Sequence, residues 1–156
     1  GGKFLRPFVT LAAFDAVRAD IVGCPGESAS VVEREAARAV AVAIEVFHKA
    51  SLVHDDIEDD DQVRYGRPTV HVERGIPAAI NIGDYLIGAG YRLIASIAGE
   101  PGLHRDLLAI LADAHLRLSQ GQGAELWWRD AGHRVMTPDE SLAIYGLKTS
   151  PAFEAA

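Results

Sequence analysis

An apolar segment, Val40 to Val53, runs directly into a block in which six of seven residues are acidic. The acids are Asp55, Asp56, Glu58, Asp59, Asp60 and Asp61. Two like charges about 4 Å apart repel by roughly 1 kcal/mol in water and by about 4 kcal/mol near a partly buried surface. A helix dipole also disfavours acids at the C-terminal end of a helix. The block therefore does not stabilise the helix that carries it, and we expect either a solvated face or a cation-binding site.

The spacing within this acidic run suits Mg²⁺. Asp55 and Asp59 lie one helical turn apart, about 6 Å along the axis, with Asp56 beside them. Mg²⁺ prefers oxygen ligands, keeps several waters and completes its shell with substrate phosphates. An EF-hand would need alternating ligands, a central glycine and a glutamate at the twelfth position, and the run lacks that pattern. The sequence therefore predicts a magnesium-bridged phosphate site.

Helical periodicity dominates the chain, and the alternation typical of strands is nearly absent, so we predict an all-α fold. The expected helices cover about residues 3–20, 30–61, 77–97 and 103–130, with a fifth that begins at Thr137 and is still running at Ala156. Ser30 with Glu33 has the spacing of a capping box, and Thr137 is a second N-cap. Residues 23–26 are expected to form a loop and residues 64–68 a turn. In the third helix, Gly83, Gly88 and Gly90 are expected to allow the close approach of another helix or a ligand.

Length and composition limit the classes of protein. With 156 residues and 49% hydrophobic content, the chain fits a single domain over residues 1–156. The net charge is −7, but without the acidic run 15 basic residues face 16 acidic ones, which argues against nucleic acid as a partner. Cys24 is the only cysteine, which predicts a cytoplasmic location, and no segment is apolar enough for a membrane span. Because residue 1 is not Met, we expect a fragment of a longer protein.

A diphosphate also requires cations, and four basic residues stand near glycine, proline or threonine: Lys3, Arg6, Arg64 and Lys148. Lysine acts on phosphate as a point charge, and arginine can bind two phosphate oxygens at once. Each of these residues taken alone is better explained as a surface charge. Their combination with the acidic run supports a phosphate site.

Six motifs in order resemble those of the trans-prenyl diphosphate synthases, the polyprenyl synthetase family. They are Gly1–Pro7 (GGKFLRP), Leu52–Asp59 (LVHDDIED), Arg64–His71 (RYGRPTVH), Gly83-Asp84, Gly121-Gln122 and Lys148-Thr149. The resemblance implies part of an isoprenoid-synthase-type helical bundle around a central apolar cavity, working as a homodimer. It also implies head-to-tail condensation of isopentenyl diphosphate with an allylic diphosphate, through ionisation to an allylic carbocation.

The resemblance also implies a role for each matched residue. Asp55, Asp56 and Asp59 resemble the first aspartate-rich motif, which binds Mg²⁺ and through it the allylic diphosphate. The remaining roles are isopentenyl diphosphate binding for Lys3, Arg6 and His48, clamping of the allylic diphosphate for Arg64 and Lys148, and lining of the cavity for Gln122 and Thr149. A structural role is expected for His54, His71 and Asp84.

Four positions depart from the common pattern of the family. Phe4 and Tyr65 stand where arginine is frequent, Glu125 where aspartate is usual, and Ser150 where glycine or alanine is usual. Tyr65 matters most, because the arginine there helps to hold isopentenyl diphosphate. The second aspartate-rich motif of the family falls beyond residue 156, so the fragment alone is expected to be inactive.

Two alternatives remain open. The chain could belong to a noncatalytic regulatory subunit of a heteromeric synthase, or to a class I terpene cyclase, which ionises one diphosphate without a partner. The presence of Lys3, Arg6 and His48 disfavours the cyclase, which has no second diphosphate to bind.

Overall fold

A computed structural model describes residues 4–22, 29–132 and 135–156, with the backbone alone for residues 20–22. In these ranges the helices are α1 (Leu5–Val22), α2 (Val31–Glu58), α3 (Val70–Arg74), α4 (Ile76–Ala95), α5 (Pro101–Asp130) and α6 (Pro138–Glu154). Two short strands, β1 (Val63–Arg64) and β2 (Arg67–Pro68), pair antiparallel. The all-α prediction is confirmed. The predicted loop over residues 23–26, with Cys24, lies outside the described residues.

Two local features differ from the predictions. The predicted turn over residues 64–68 is a hairpin whose register pairs Val63 with Pro68. The short helix α3 precedes α4 and was not predicted. The fifth predicted helix is present as α6, which contains Pro151 and reaches Glu154. In described residues, no helix has both the length and the apolarity that crossing a membrane requires.

The chain divides into two compact units, Gly1–Gly99 with Ala156 and Glu100–Ala155. The first contains α1 to α4 with the hairpin, and the second contains α5 and α6. Each unit is described by itself below. The single domain over residues 1–156 stays a prediction.

The core of the first unit is the contact between α2 and α4. Small residues at helical spacing on α2, among them Ala37, Ala41 and Ala50, are buried with Ile44 and Phe47. Small side chains on one helix allow the axis of the next to come close. The long helix that carries the acidic run is therefore anchored by its apolar middle.

Glycines on α4 are the counterpart of these small residues. A Cβ at Gly83 would lie 2.2 Å from Nε2 of His54, and one at Gly90 would lie 2.6 Å from Cε1 of Phe47. The close approach predicted for these two glycines is confirmed. At Gly88 nothing lies within 4 Å of the position of its Cβ, so a close approach there stays a prediction.

Both predicted helix caps are present. The Ser30 hydroxyl accepts from the N–H of Glu33 at 3.2 Å, and the Glu33 carboxylate accepts from the N–H of Ser30 at 2.8 Å. Thr137 and Glu140 form the same reciprocal pair at the start of α6. These capping boxes satisfy backbone donors that the first turn leaves open.

The second unit consists of α5 and α6, which pack against each other. Gly121 lies against the α6 backbone, since its Cβ would be 2.7 Å from the backbone nitrogen of Lys148. The guanidinium of Arg117 donates to both carboxylate oxygens of Glu154, one bond being 3.0 Å. This ion pair raises the pKa of Arg117 and lowers that of Glu154.

Candidate functional site

The acidic run lies where α2 ends. Asp60 adopts a left-handed backbone with φ of 53°. The N–H of Asp61 donates to the carbonyl of Asp56 at 2.9 Å, and that of Asp60 donates to the carbonyl of Ile57 at 3.3 Å. Together these bonds form a Schellman motif, the usual way to satisfy the last carbonyls of a helix. The run is thus partly helix and partly helix cap, and the helix is shorter than the predicted end at residue 61.

One arginine neutralises part of this run. Nε of Arg64 donates to a carboxylate oxygen of Asp56, and Nη2 donates to Oδ2 of Asp61 at 3.2 Å. The Asp56 side chain is only 5% exposed, whereas Arg64 is 29% exposed. A buried carboxylate needs such a partner, because the cost of taking a charge out of water is several kcal/mol. The structure therefore joins a predicted metal ligand to a predicted phosphate clamp.

The hairpin holds Arg64 at this point. Tyr65 and Gly66 form its two-residue loop, and both have positive φ, 53° and 76°. Turns of this kind match the twist of a hairpin but usually use asparagine and glycine, so a tyrosine there is strained. The Thr69 hydroxyl fixes the other end of the loop by donating to the carbonyl of Asp61 at 2.7 Å. His71 Nδ1 lies 3.2 Å from that hydroxyl, consistent with its expected structural role.

Arg6 of α1 and His48 of α2 are close enough to influence each other. Burial and the positive charge of Arg6 are the two largest causes that lower the pKa of His48, which falls to about 4. Lys49 and Arg64 act in the same direction, and Glu45 opposes them. His48 is therefore neutral at physiological pH. Two of the residues predicted to bind isopentenyl diphosphate therefore act on each other electrostatically, and the third, Lys3, lies outside the described residues.

Lys49 and Glu45 belong to the same neighbourhood and were not predicted. Lys49 Nζ lies 3.1 Å from Oε1 of Glu45 and 6.0 Å from the ring centroid of Tyr65. Burial lowers the pKa of Arg6, while Glu45 and Tyr65 raise it. A Glu–Lys pair four residues apart is common on exposed helices, so its spacing alone gave no signal. The informative signal would have been that Glu45 and Lys49 stand on either side of His48 on the same helix.

The donor set of the acidic run fits Mg²⁺. The N–H of Asp59 donates to the carbonyl of Asp55 at 2.8 Å, which places the two residues one turn apart as predicted. Within the described ranges, no group of three or more histidine, cysteine or acidic side chains is arranged to hold a metal ion. Mg²⁺ commonly takes only one or two carboxylates and fills its shell with water and substrate phosphates. Two carboxylates, Asp55 and Asp59, meet that requirement, and Asp56 is engaged by Arg64.

The predicted residues of the second unit lie around the contact between α5 and α6. Lys148 Nζ donates to a carboxylate oxygen of Glu125. Gln122 follows Gly121, which contacts the backbone of Leu147 and Lys148. Gln122 is half-buried, and Thr149 is exposed. The second predicted clamp is thus also held by a carboxylate.

His54 lies between the acidic run and α4. Its Nε2 is 3.5 Å from Oδ1 of Asp84, and Gly83 leaves the space for its ring. This contact supports the structural role expected for His54 and Asp84. It joins the last turns of α2 to α4 next to Asp55.

Comparison with known proteins gives a consistent result. The family model described as polyprenyl synthetase matches residues 1–156. A geranylgeranyl diphosphate synthase of Saccharolobus solfataricus is 45% identical over 159 residues, and a short chain isoprenyl diphosphate synthase of Methanothermobacter thermautotrophicus is 33% identical over 156 residues. Each match covers 100% of this chain and 43% of the relative.

Solved structures resemble the chain in the same way. The geranylgeranyl pyrophosphate synthetase of Pyrococcus horikoshii superposes with a TM-score of 0.84 at 34% identity. That match covers 99% of this chain and 43% of the other chain. The chain therefore spans less than half the length of these relatives. The predicted isoprenoid-synthase-type fold is confirmed for the part that is present.

Proposed function

The chain belongs to the polyprenyl synthetase family, and on this premise we propose that the full-length protein is a trans-prenyl diphosphate synthase. It would condense isopentenyl diphosphate with an allylic diphosphate in a head-to-tail reaction. The observation that carries the proposal is the acidic run at the end of α2, on the same helix as the neutral His48, on which the positive charge of Arg6 acts. The names of the relatives support the reaction class, since they are synthases of prenyl diphosphates.

Asp55 and Asp59 are the proposed magnesium ligands. When bound, Mg²⁺ would supply positive charge that stabilises the departing diphosphate. Asp56 is proposed to join them only when Arg64 exchanges its carboxylate for a phosphate oxygen. Because the guanidinium binds phosphate and carboxylate with the same geometry, that exchange keeps its hydrogen bonds.

Arg6, His48 and Lys3 are the proposed residues for isopentenyl diphosphate. Arg6 contributes a permanent charge, because it remains protonated at any physiological pH. His48 is neutral, so it can donate one hydrogen bond to a phosphate oxygen without adding charge. On the allylic side, Arg64 and Lys148 are the proposed clamps.

The proposed reaction depends on positive charge that stabilises the diphosphate and on a cavity that excludes water. The bond between C1 and oxygen of the allylic substrate breaks, and its electrons leave with the diphosphate toward the cationic residues. The double-bond electrons of isopentenyl diphosphate form the new carbon–carbon bond with the resulting cation. A proton is then lost to the released diphosphate, which removes the need for a protein base. The cavity proposed to be lined by Gln122 and Thr149 must exclude water, since water would capture the cation.

The proposal extends to assembly and location. A homodimer in the cytoplasm is expected, and the described fragment by itself is expected to be inactive. None of the relatives described above is named as a cyclase or a regulatory subunit. Those alternatives remain outcomes of the experiment.

The test is product analysis with the full-length protein. Labelled isopentenyl diphosphate, separate allylic diphosphates and Mg²⁺ should give an elongated prenyl diphosphate, and EDTA should abolish it. Asp55→Ala should lower kcat at least 1,000-fold, on the order of 4 kcal/mol of transition-state stabilisation. Glu58→Ala, a matched control in the same run, should stay near wild type. A cyclised product, or no incorporation with any allylic substrate, would contradict the proposal.

A further inference from the structure

We propose that Lys49 binds the diphosphate of isopentenyl diphosphate and that Glu45 and the ring of Tyr65 position its ammonium group. The inference rests on the proposed function, because it concerns the substrate assigned to Arg6 and His48. It adds a residue that neither the sequence motifs nor the resemblance indicated. Tyr65 acts here as a positioning residue, through Lys49.

The Glu45–Lys49 pair is less exposed to water than another ion pair on the same helix. The two groups are 3.1 Å apart, with Glu45 only 14% exposed and Lys49 37% exposed. On the same helix, Arg38 and Glu35 also pair, at 2.8 Å, but both are 63% exposed. A surface pair such as the second contributes little and forms transiently. In the first pair a largely buried carboxylate holds the ammonium group, while the Lys49 side chain stays partly exposed.

The charged groups that act on His48 include more cations than carboxylates. Arg6 and Lys49 both act on His48, and Glu45 is the carboxylate that acts on it from the same helix. Arg64 acts on it too, but Asp56 and Asp61 already bind its guanidinium. Apart from Arg64, two cations and one carboxylate therefore act on the neutral imidazole. A local excess of positive charge in a partly buried place is stabilised by an anion, and a diphosphate carries the required charge.

The ring of Tyr65 lies near the ammonium group of Lys49. The ring centroid lies 6.0 Å from Lys49 Nζ, at the outer limit of a cation–π contact. The left-handed backbone of Tyr65, with φ of 53°, fixes the direction in which the side chain leaves the hairpin. Tyr65 has no positive charge of its own. The charge at this edge of the neighbourhood therefore comes from Lys49, with the aromatic face limiting where the ammonium can move.

The experiment uses the full-length enzyme and measures KM for each substrate with the other saturating. Lys49→Met should raise KM for isopentenyl diphosphate about tenfold and leave KM for the allylic substrate within twofold. Arg38→Met, the matched control, should leave both values unchanged. Tyr65→Ala should raise the first KM about threefold with little change in kcat, and Tyr65→Phe should restore it, because the ring and not the hydroxyl positions Lys49.

The outcomes separate this inference from the proposed function. If the wild type elongates and Lys49→Met leaves KM for isopentenyl diphosphate unchanged, or raises only the allylic KM, the inference is wrong while the function stands. If the wild type does not elongate, calorimetric titration with inorganic pyrophosphate decides: about tenfold weaker binding by Lys49→Met than by Arg38→Met supports an anion site, and equal binding overturns it. Lys49→Gln replaces the methionine variant if circular dichroism finds that variant unfolded.

Discussion

The two helix pairs, α2 with α4 and α5 with α6, achieve close contact in different ways. On α4, Gly83 makes room for the ring of His54, which is a side chain that can rotate. On α5, Gly121 makes room for the backbone of Leu147 and Lys148, which cannot move without moving α6. The first unit therefore has an adjustable helix contact beside the acidic run, and the second unit has a fixed helix contact beside Lys148.

The ion pairs of the two units differ in the opposite sense. Arg64 is bound by two carboxylates, one of them nearly buried, and is therefore held firmly. Lys148 is bound by Glu125, and the two side chains are 23% and 40% exposed. The Glu125 carboxylate is more open to water than that of Asp56, so this pair is more strongly screened and costs less to open. The rigid backbone of the second unit thus carries the more easily released clamp.

The largest effect is expected at the fixed contact. Gly121→Ala should destabilise the full-length protein by about 3 kcal/mol, because the added methyl meets backbone atoms that cannot shift locally. Gly123→Ala is the control on the same helix, where nothing lies within 4 Å, and it should stabilise by about 0.5 to 1 kcal/mol. Urea unfolding measures both. Equal stability of the two variants would mean that the α5–α6 contact is looser than described.

The next effect tests the ion pairs. Asp56→Ala should cost about 2 kcal/mol, less than for a fully buried pair, because Arg64 keeps Asp61 and is partly exposed. Glu125→Ala should cost about 0.5 kcal/mol at most. Melting temperatures of the two variants show which substitution destabilises the protein more. A larger loss for Glu125→Ala would reverse the comparison between the two clamps.

A smaller effect is expected at the adjustable contact. Gly83→Ala should cost about 1 kcal/mol, because the ring of His54 can turn away from the new methyl group. Gly88→Ala, with open space at its Cβ, is the control and should not destabilise. Chemical denaturation compares the free energies of unfolding of these two variants. A loss for Gly83→Ala as large as that for Gly121→Ala would show that His54 is fixed by Asp84 and cannot rotate.

The last effect appears only below neutral pH and concerns the first unit alone. The pKa of His48 falls from 6.5 to about 4 on folding, so between these values the unfolded chain binds a proton that the folded chain does not. Stability should therefore rise with pH across this window. In His48→Gln that part of the slope should disappear, while Arg38→Met should keep it. Parallel stability curves for His48→Gln and wild type would place His48 in a more solvated environment.

Much of the fold was predictable because it depends on local pattern. Helical periodicity, two capping boxes and the small residues of α2 and α4 each act within a few turns. The hairpin and α3 were not predicted, since strands of two residues leave no periodic signal. Close approach was predicted for three glycines of α4, and the structure shows it at Gly83 and Gly90, because spacing does not tell which face of α4 packs against α2.

The sequence by itself determined the all-α class, the position of the acidic run at the end of α2, and the set of cations expected near a diphosphate. Only the tertiary structure decided how those charges combine. It paired Arg64 with Asp56 and Lys148 with Glu125, and it placed the ring of Tyr65 6.0 Å from Lys49 Nζ. The physical reason is that helix formation depends on residues three or four apart, whereas an ion pair depends on distance in space and on burial, which only packing sets.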